Sequence, residues 1–263
     1  MRLPDGLRRW VRKAGSWGFG RSPRLHRIPF GPNRGLRIFM SFDISPRMWF
    51  GIDEPWVAQS AQDHVHPGDV VYDIGAHIGY TCLLYAQRVG DEGAVHAFEI
   101  LPSITTNYLQ KTIQSNAFNN IATHAVGLSD QEEDFSLPVG ETLMTSQQSE
   151  GREGQRIEEC KVVPLDAYAA IHNLPKPTYV KIDIEGAEVR CLLGAEKTFR
   201  ENLPMMMIEF HSKALLQEGY SLLDAWGYRF VTQRGEAMDE QMIRNLNWFH
   251  ESVLCLPPST SAS

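Results

Sequence analysis

The sequence is poor in cysteine, and its four thiols, Cys82, Cys160, Cys191 and Cys255, lie far apart without a C-x-x-C pair. That spacing excludes a disulfide framework and a cysteine zinc site, and reads as buried thiols in a reducing compartment. No apolar run reaches the roughly 18–20 residues of a membrane helix. The basic start is not followed by an apolar stretch of signal-peptide length either, so a cytoplasmic location is expected. Two motifs are also missing. There is no G-x-G-x-x-G loop to cradle a pyrophosphate, and no Asp or Asn followed by Pro-Pro-Tyr, the string of many amino-methylating enzymes.

What is there is ample for a folded body. The chain has 263 residues, 43% of them apolar and 22% charged, enough for one large α/β domain with an added N-terminal segment. The net charge of −7 is uneven: Met1 to Met40 hold ten Lys or Arg against Asp5 alone, so a +9 arm precedes a −16 body. An acidic body disfavours nucleic acid as a partner, because phosphate contacts need a basic face. Residues 1–34 read as a basic arm, solvated or loosely docked, with peripheral contact to an acidic membrane surface as its alternative use.

Residues 35–68 read as a lead-in strand (Gly35 to Phe42) and helix (Glu54 to Val65), and 69–263 as the main domain. From Asp69 short apolar runs alternate with segments of helical period, the pattern of βαβ units and a parallel sheet. Strands are expected at Asp69–Ile74, Ala94–Glu99, Ile121–Val126, Tyr179–Asp183, Met205–Phe210, Tyr228–Thr232 and Ser252–Leu256. Helices are expected at Ile78–Val89, Pro102–Asn116, Ala187–Asn202 and about Leu222–Trp226. The Gln233–Asn247 link looks too short for a packed crossover helix, so the last strand should run antiparallel. The expected fold class is therefore α/β: a doubly wound, seven-stranded, Rossmann-like sheet. The stretch 131–161 breaks the rhythm and reads as an insertion or lid, with a hairpin arm at Asp134–Leu137.

The strongest signal is Val70-Val71-Tyr72-Asp73-Ile74-Gly75-Ala76-His77-Ile78-Gly79-Tyr80-Thr81, an apolar strand ending in an acid and a glycine turn. Gly75 permits the turn and Gly79 a close helix. The next strand ends in Glu99, 24 positions beyond Gly75, where a carboxylate can accept both hydroxyls of a ribose. Asp73 beside the turn would repel a phosphate. A cationic, phosphate-free nucleoside suits it, which points to S-adenosylmethionine. Gly127 and Asp130 follow the third strand, where the exocyclic amine of an adenine could donate to Asp130. The cofactor-binding set is thus Asp73, Gly75, Ala76, His77, Gly79, Glu99, Gly127, Asp130 and Asp183.

The fourth strand ends with Lys181, Asp183 and Glu185 on one side by alternation, and the fifth ends with Glu209 and His211. Charges at the rim of a central strand are costly unless paired or functional. Lys181, Asp183, Glu185 and His211 are the candidate catalytic residues: Asp183 for the methionyl end, and Glu185 or His211 for the acceptor's proton. His64 and His66 read as surface residues, and no metal is expected.

With these residues in hand the chain resembles the FkbM family of methyltransferases, over roughly Gly35 to His211. The likeness lies in Gly51-Ile52-Asp53-Glu54, Val70 to Thr81, His96 to Glu99, Gly127 to Asp130, Val163-Pro164-Leu165-Asp166 and, above all, Lys181-Ile182-Asp183-Ile184-Glu185-Gly186-Ala187-Glu188. His77 departs from it, standing where family members more often have Asn. The resemblance implies S-adenosylmethionine as cofactor and O-methylation of a sugar, glycan or natural product. The alternatives are N-methylation of a protein or nucleic acid and a noncatalytic S-adenosylmethionine-binding protein.

Overall fold

The computed structural model describes residues 22–41, 45–139, 156–246 and 252–258. The chain opens with an antiparallel hairpin, β1 (Arg24–Arg27) and β2 (Arg37–Met40), then two helices, α1 (Pro46–Phe50) and α2 (Pro55–His64). A regular alternation follows: β3 (Val70–Ile74), α3 (Tyr80–Val89), β4 (Ala94–Phe98). The next helix, α4, consists of Pro102–Ile104, a π-helical turn Thr105–Leu109, and Gln110–Gln114. Then come β5 (Ile121–His124), β6 (Gly127–Leu128), β7 (Glu133–Val139), β8 (Arg156–Val163), α5 (Leu165–His172) and β9 (Tyr179–Ile182). The chain continues through α6 (Glu188–Gly194), α7 (Glu196–Asn202), β10 (Met205–Glu209), α8 (Lys213–Ala225), β11 (Arg229–Val231), β12 (Ala237–Met238), α9 (Glu240–Asn245) and β13 (Ser252–Leu256).

The main sheet runs β12-β11-β13-β10-β9-β3-β4-β5. All seven expected strands are in it, and β12 adds a two-residue edge. Strand β13 is antiparallel to both its neighbours, as the short link implied, while β10-β9-β3-β4-β5 are parallel. This is the doubly wound α/β class. Strand order reverses at β3, whose neighbours are β4 and β9, and ligands bind in the crevice at such a switch point.

Parallel strands covered on both faces are mostly apolar, and β9, which carries Lys181, is buried at all four positions. Alternate residues feed two cores. Tyr72, Ile74, Phe98, Val180, Ile182, Met206 and Ile208 share one with α6, α7 and α8. Val71, Val95, Ala97, Tyr179 and Met207 share the other with α2 and α3. Burying one such side chain contributes about 1.5–3 kcal/mol.

Several expectations change. The 1–34 arm is docked from residue 24 onward: β1 pairs with β2, and Asn33, fully buried, donates to the Tyr80 carbonyl at 2.8 Å. Residues 1–21 lie outside the described residues. The single helix expected at Ala187–Asn202 is two, broken at Ala195. The helix expected at Leu222–Trp226 is the end of the thirteen-residue α8, capped by Ser212, which accepts from the Leu215 amide at 3.1 Å. The Gln233–Asn247 link does hold a helix, α9, whose cap Asp239 accepts from Met242 N at 2.7 Å. The 131–161 stretch forms the β7–β8 hairpin, with β6 alongside β8; its 140–155 portion lies outside the described residues.

Candidate active site

The glycine turn joins β3 to α3 at the carboxyl edge of the sheet. Gly75 and Gly79 have φ of +88° and +92°, and His77 has φ of +48°. His and Asn both enter the left-handed region more readily than most residues, which gives a backbone reason for either at this position. A Cβ on Gly75 would stand 1.9 Å from the Asp183 carbonyl oxygen, so the turn is pressed against the end of β9. Gly79 faces Leu109 of the π turn, where a Cβ would come within 2.8 Å. Packing against backbone requires Gly75, while at Gly79 the positive φ favours glycine more than the side-chain contact does.

Asp73 is fully buried. Its Oδ2 accepts from Thr81 Oγ1 at 2.6 Å and Cys82 Sγ at 3.1 Å, and Oδ1 lies 3.9 Å from Lys181 Nζ with no hydrogen bond. Glu99 stands one residue past the β4 end that pairs with Ile74. Its carboxylate accepts from the backbone of His77 at 2.9 Å and of Leu101 at 3.0 Å. Burial nonetheless pushes it up to about 7. Asp130 sits on the β6–β7 turn, ion-paired to Arg190 at 2.7 Å, which holds its carboxyl below the usual range. Gly127 is wedged against Ile100 and Val162, and Ala76 is buried.

Lys181 points into a knot of acids. Its Nζ is 3.2 Å from Asp183 Oδ2 and 3.9 Å from both Asp73 and Glu54 Oε2. Only 3% exposed, it lies among carboxylates that it neutralises. Burial opposes its charge, but Asp183, Glu54 and Asp73 hold its pKa far above the usual value.

Next to it, His211 Nδ1 lies 2.8 Å from Glu188 Oε1, and Nε2 is 3.6 Å from Asp183 Oδ1 and 3.5 Å from Glu185 Oε2. Burial disfavours the imidazolium, yet Glu188, Asp183 and Glu185 outweigh it and raise His211 to about 9. An imidazole that is charged at neutral pH donates a proton there; it does not take one. Glu185 and Gly186 have φ of +55° and +112°, so the chain turns sharply past β9 and leaves the Glu185 side chain 42% exposed.

Three further acids join this rim. Glu54, left-handed at φ +41° just before Pro55, is pushed up to about 8 by burial. An acid that is not among the favoured capping residues, placed before an N1 proline, was its sequence signal. Glu188 orients His211 and accepts from Gly186 N at 2.8 Å. Glu209, at the end of β10, is raised by burial to about 7. Elsewhere, His66 N donates to Asp69 at 2.6 Å on the surface, and all four cysteines are buried thiols.

The donor set fits the cofactor inferred from the sequence. Among the described residues the groups around Lys181 are acids, and one buried oxygen each of Asp73 and Glu54 has no hydrogen-bond partner, so a cation without phosphate suits the site. Glu99 retains lone pairs for ribose hydroxyls beyond its two backbone donors. Fold and site together define an S-adenosylmethionine-dependent methyltransferase domain.

The methyltransferase FkbM domain matches residues 73–230, more than half of the chain, and the chain belongs to that family. Among solved structures it is similar to an FkbM methyltransferase from Methylobacillus flagellatus KT, at 16% identity and a TM-score of 0.48. That likeness covers 75% of this chain and 50% of the other, so the chain spans about half that relative's length. Aeropyrum pernix fibrillarin, with natively bound S-adenosyl-L-methionine, is similar at 12% identity and a TM-score of 0.47, covering 76% of each chain. A Thermotoga maritima SAM-dependent O-methyltransferase is similar at 13% identity and a TM-score of 0.44, covering 78% of this chain and 64% of that one. No curated protein matches the chain.

Proposed function

We propose that the chain transfers the methyl group of S-adenosylmethionine to a hydroxyl of a sugar, glycan or natural product. One observation carries this reading: the Asp183, Glu185, Glu209 and His211 rim adjoins the glycine turn, with the Asp183 carbonyl against Gly75. An acceptor at that rim would face a cofactor held by the turn. Glu99 would take the ribose hydroxyls and Asp183 the methionyl end, while Asp73 adds a buried negative charge favouring a cation.

The bound cofactor supplies an activated methyl group on a sulfonium. The acceptor's hydroxyl proton passes to the Glu185 carboxylate, and the oxygen's electron pair forms the new C–O bond. When bound, the cofactor would give up that methyl group and keep the C–S electron pair on sulfur, so the transfer balances. Exposure of Glu185 lets the proton leave to water. Positioning can contribute on the order of 7–11 kcal/mol to such a step, and a placed base roughly 10²- to 10⁴-fold.

The test is radiolabelled methyl transfer to panels of sugars, glycans, peptides and RNA. The expected product carries label in an alkali-stable ether, and Glu185→Gln lowers kcat at least 10²-fold with cofactor affinity little changed. Label in peptide or RNA, or in a base-labile ester, would overturn the reading.

A further inference from the structure

The ends of β9 and β10 bring two carboxylates and an imidazole into one cluster. We infer that they form a divalent-cation site with Asp183, Glu209 and His211 as protein ligands.

Lys181 pairs with Met207, and Ile182 with Ile208, so Asp183 and Glu209 are level on neighbouring parallel strands. Like charges level across a strand pair destabilise it unless a cation lies between them. Lys181 is shared among Asp183, Asp73 and Glu54, and an ion bound here would take the place of the proton that His211 holds at Nε2. One ligand atom from each of Asp183, Glu209 and His211 lies within 4.8 Å of the others.

The histidine supplies a second, independent observation. Glu188 is completely buried at the start of α6, with Oε1 against His211 Nδ1 at 2.8 Å. Its other oxygen is buried and makes no hydrogen bond among the described residues. A carboxylate behind the far nitrogen is how metal-bound histidines are held, because it fixes the tautomer and turns the other nitrogen to the ion. Here Nε2 faces Asp183 Oδ1 at 3.6 Å and Glu185 Oε2 at 3.5 Å. Both separations exceed the usual 2.7–3.2 Å of an N–H···O bond. Neighbouring ligands at right angles on an ion with 2.1–2.5 Å bonds would stand about 3.0–3.5 Å apart. The His211–Asp183 separation is close to that value, and the three ligand atoms all lie within 4.8 Å of one another.

Two carboxylates with one imidazole suit a hard to borderline ion such as Mn²⁺. Three protein ligands leave about three octahedral positions open, enough for two adjacent oxygens of a polyol and a water. What the ion would do rests on the acceptor binding at this rim, as proposed above: it would hold the reacting hydroxyl and acidify it, with Glu185 beside it to take the proton. Binding of the ion itself does not depend on that reading.

The test is Mn²⁺ titration of the full chain, without cofactor or acceptor, following free Mn²⁺ by electron paramagnetic resonance. One ion per chain is expected. Asp183→Asn, Glu209→Gln and His211→Ala should each weaken it at least tenfold, and Glu188→Gln tenfold to a hundredfold, while Asp130→Asn leaves it unchanged. Mn²⁺ should raise the wild-type melting temperature. Glu209→Gln should remove that rise without lowering the metal-free value, a pattern that a merely structural carboxylate does not give. Absence of stoichiometric binding, or binding indifferent to the three ligand substitutions, overturns the site. Methyl transfer undiminished in chelator by a protein that binds no Mn²⁺ removes the ion and leaves the proposed reaction standing. Specific Mn²⁺ binding with no hydroxyl methylated does the reverse.

Discussion

The two halves of the rim treat their carboxylates in opposite ways. On the β3–β4 side each acid has internal donors: Asp73 has Thr81 and Cys82, and Glu99 has two backbone amides. On the β9–β10 side Asp183, Glu185, Glu188 and Glu209 gather around one histidine, and Lys181 pairs with Asp183. The first side is set in shape before any ligand arrives. The second is held mainly by charge, and a cation or a proton-bearing acceptor would be favoured there. Lys181 joins the two, touching Asp73 on one side and Asp183 on the other.

The hardest blow to this comparison is at the joint. Lys181→Met leaves Asp73, Glu54 and Asp183 without their shared cation, and a loss of about 3–5 kcal/mol in urea unfolding is expected. A loss under 1 kcal/mol would mean the halves are not electrostatically linked. Gly75→Ala puts a methyl group against the Asp183 carbonyl at positive φ and should cost roughly 2–3 kcal/mol by the same measurement. Unchanged stability would show that the turn and the β9 end are not in contact.

Outside the rim, His124 sharpens the contrast. It touches His96 and Tyr168 at 3.0 and 3.1 Å, and burial, then the two neighbouring histidines His96 and His172, lowers it to about 4. Its folded pKa lies below the unfolded value of about 6.5. Its contribution is therefore present above pH 6.5 and lost as pH falls toward 4. Partial exposure reduces the effect to roughly 2 kcal/mol. NMR should show its ring titrating well below 6.5, and wild type should lose stability faster than His124→Asn over that window. A ring titrating at 6.5 or above refutes this.

Glu99→Gln should lower cofactor affinity about tenfold by calorimetry, since the amide repels one of the two backbone donors that fix the side chain. Asp130→Asn breaks only an exposed pair with Arg190, and stability should move within about 0.5 kcal/mol.

The strands were legible because both faces of a parallel sheet are covered, which turns each into an apolar run, and because the runs end in acids. The Asp73–Gly75 and Lys181–Glu188 stretches marked the rim for the same reason. Local rules hid the rest. Gly219 lowers the helical signal of α8, yet a Cβ there would strike the Phe210 ring at 2.3 Å, so packing overrides propensity. Strand β1, Arg-Leu-His-Arg, has no apolar alternation and is fixed by pairing with β2. A local pattern marks Glu54 but not its partner: Lys181 for Glu54, and His211 for Glu188, which has no local mark, are fixed only by the fold.

Because the Gly75 hydrogen faces a neighbouring peptide, that glycine would outlive the activity. A descendant stripped of every rim acid would still need it to close the crossover, and would still score as a methyltransferase by its turn. The architecture is written in the glycine; the enzyme is written in the acids at the strand ends.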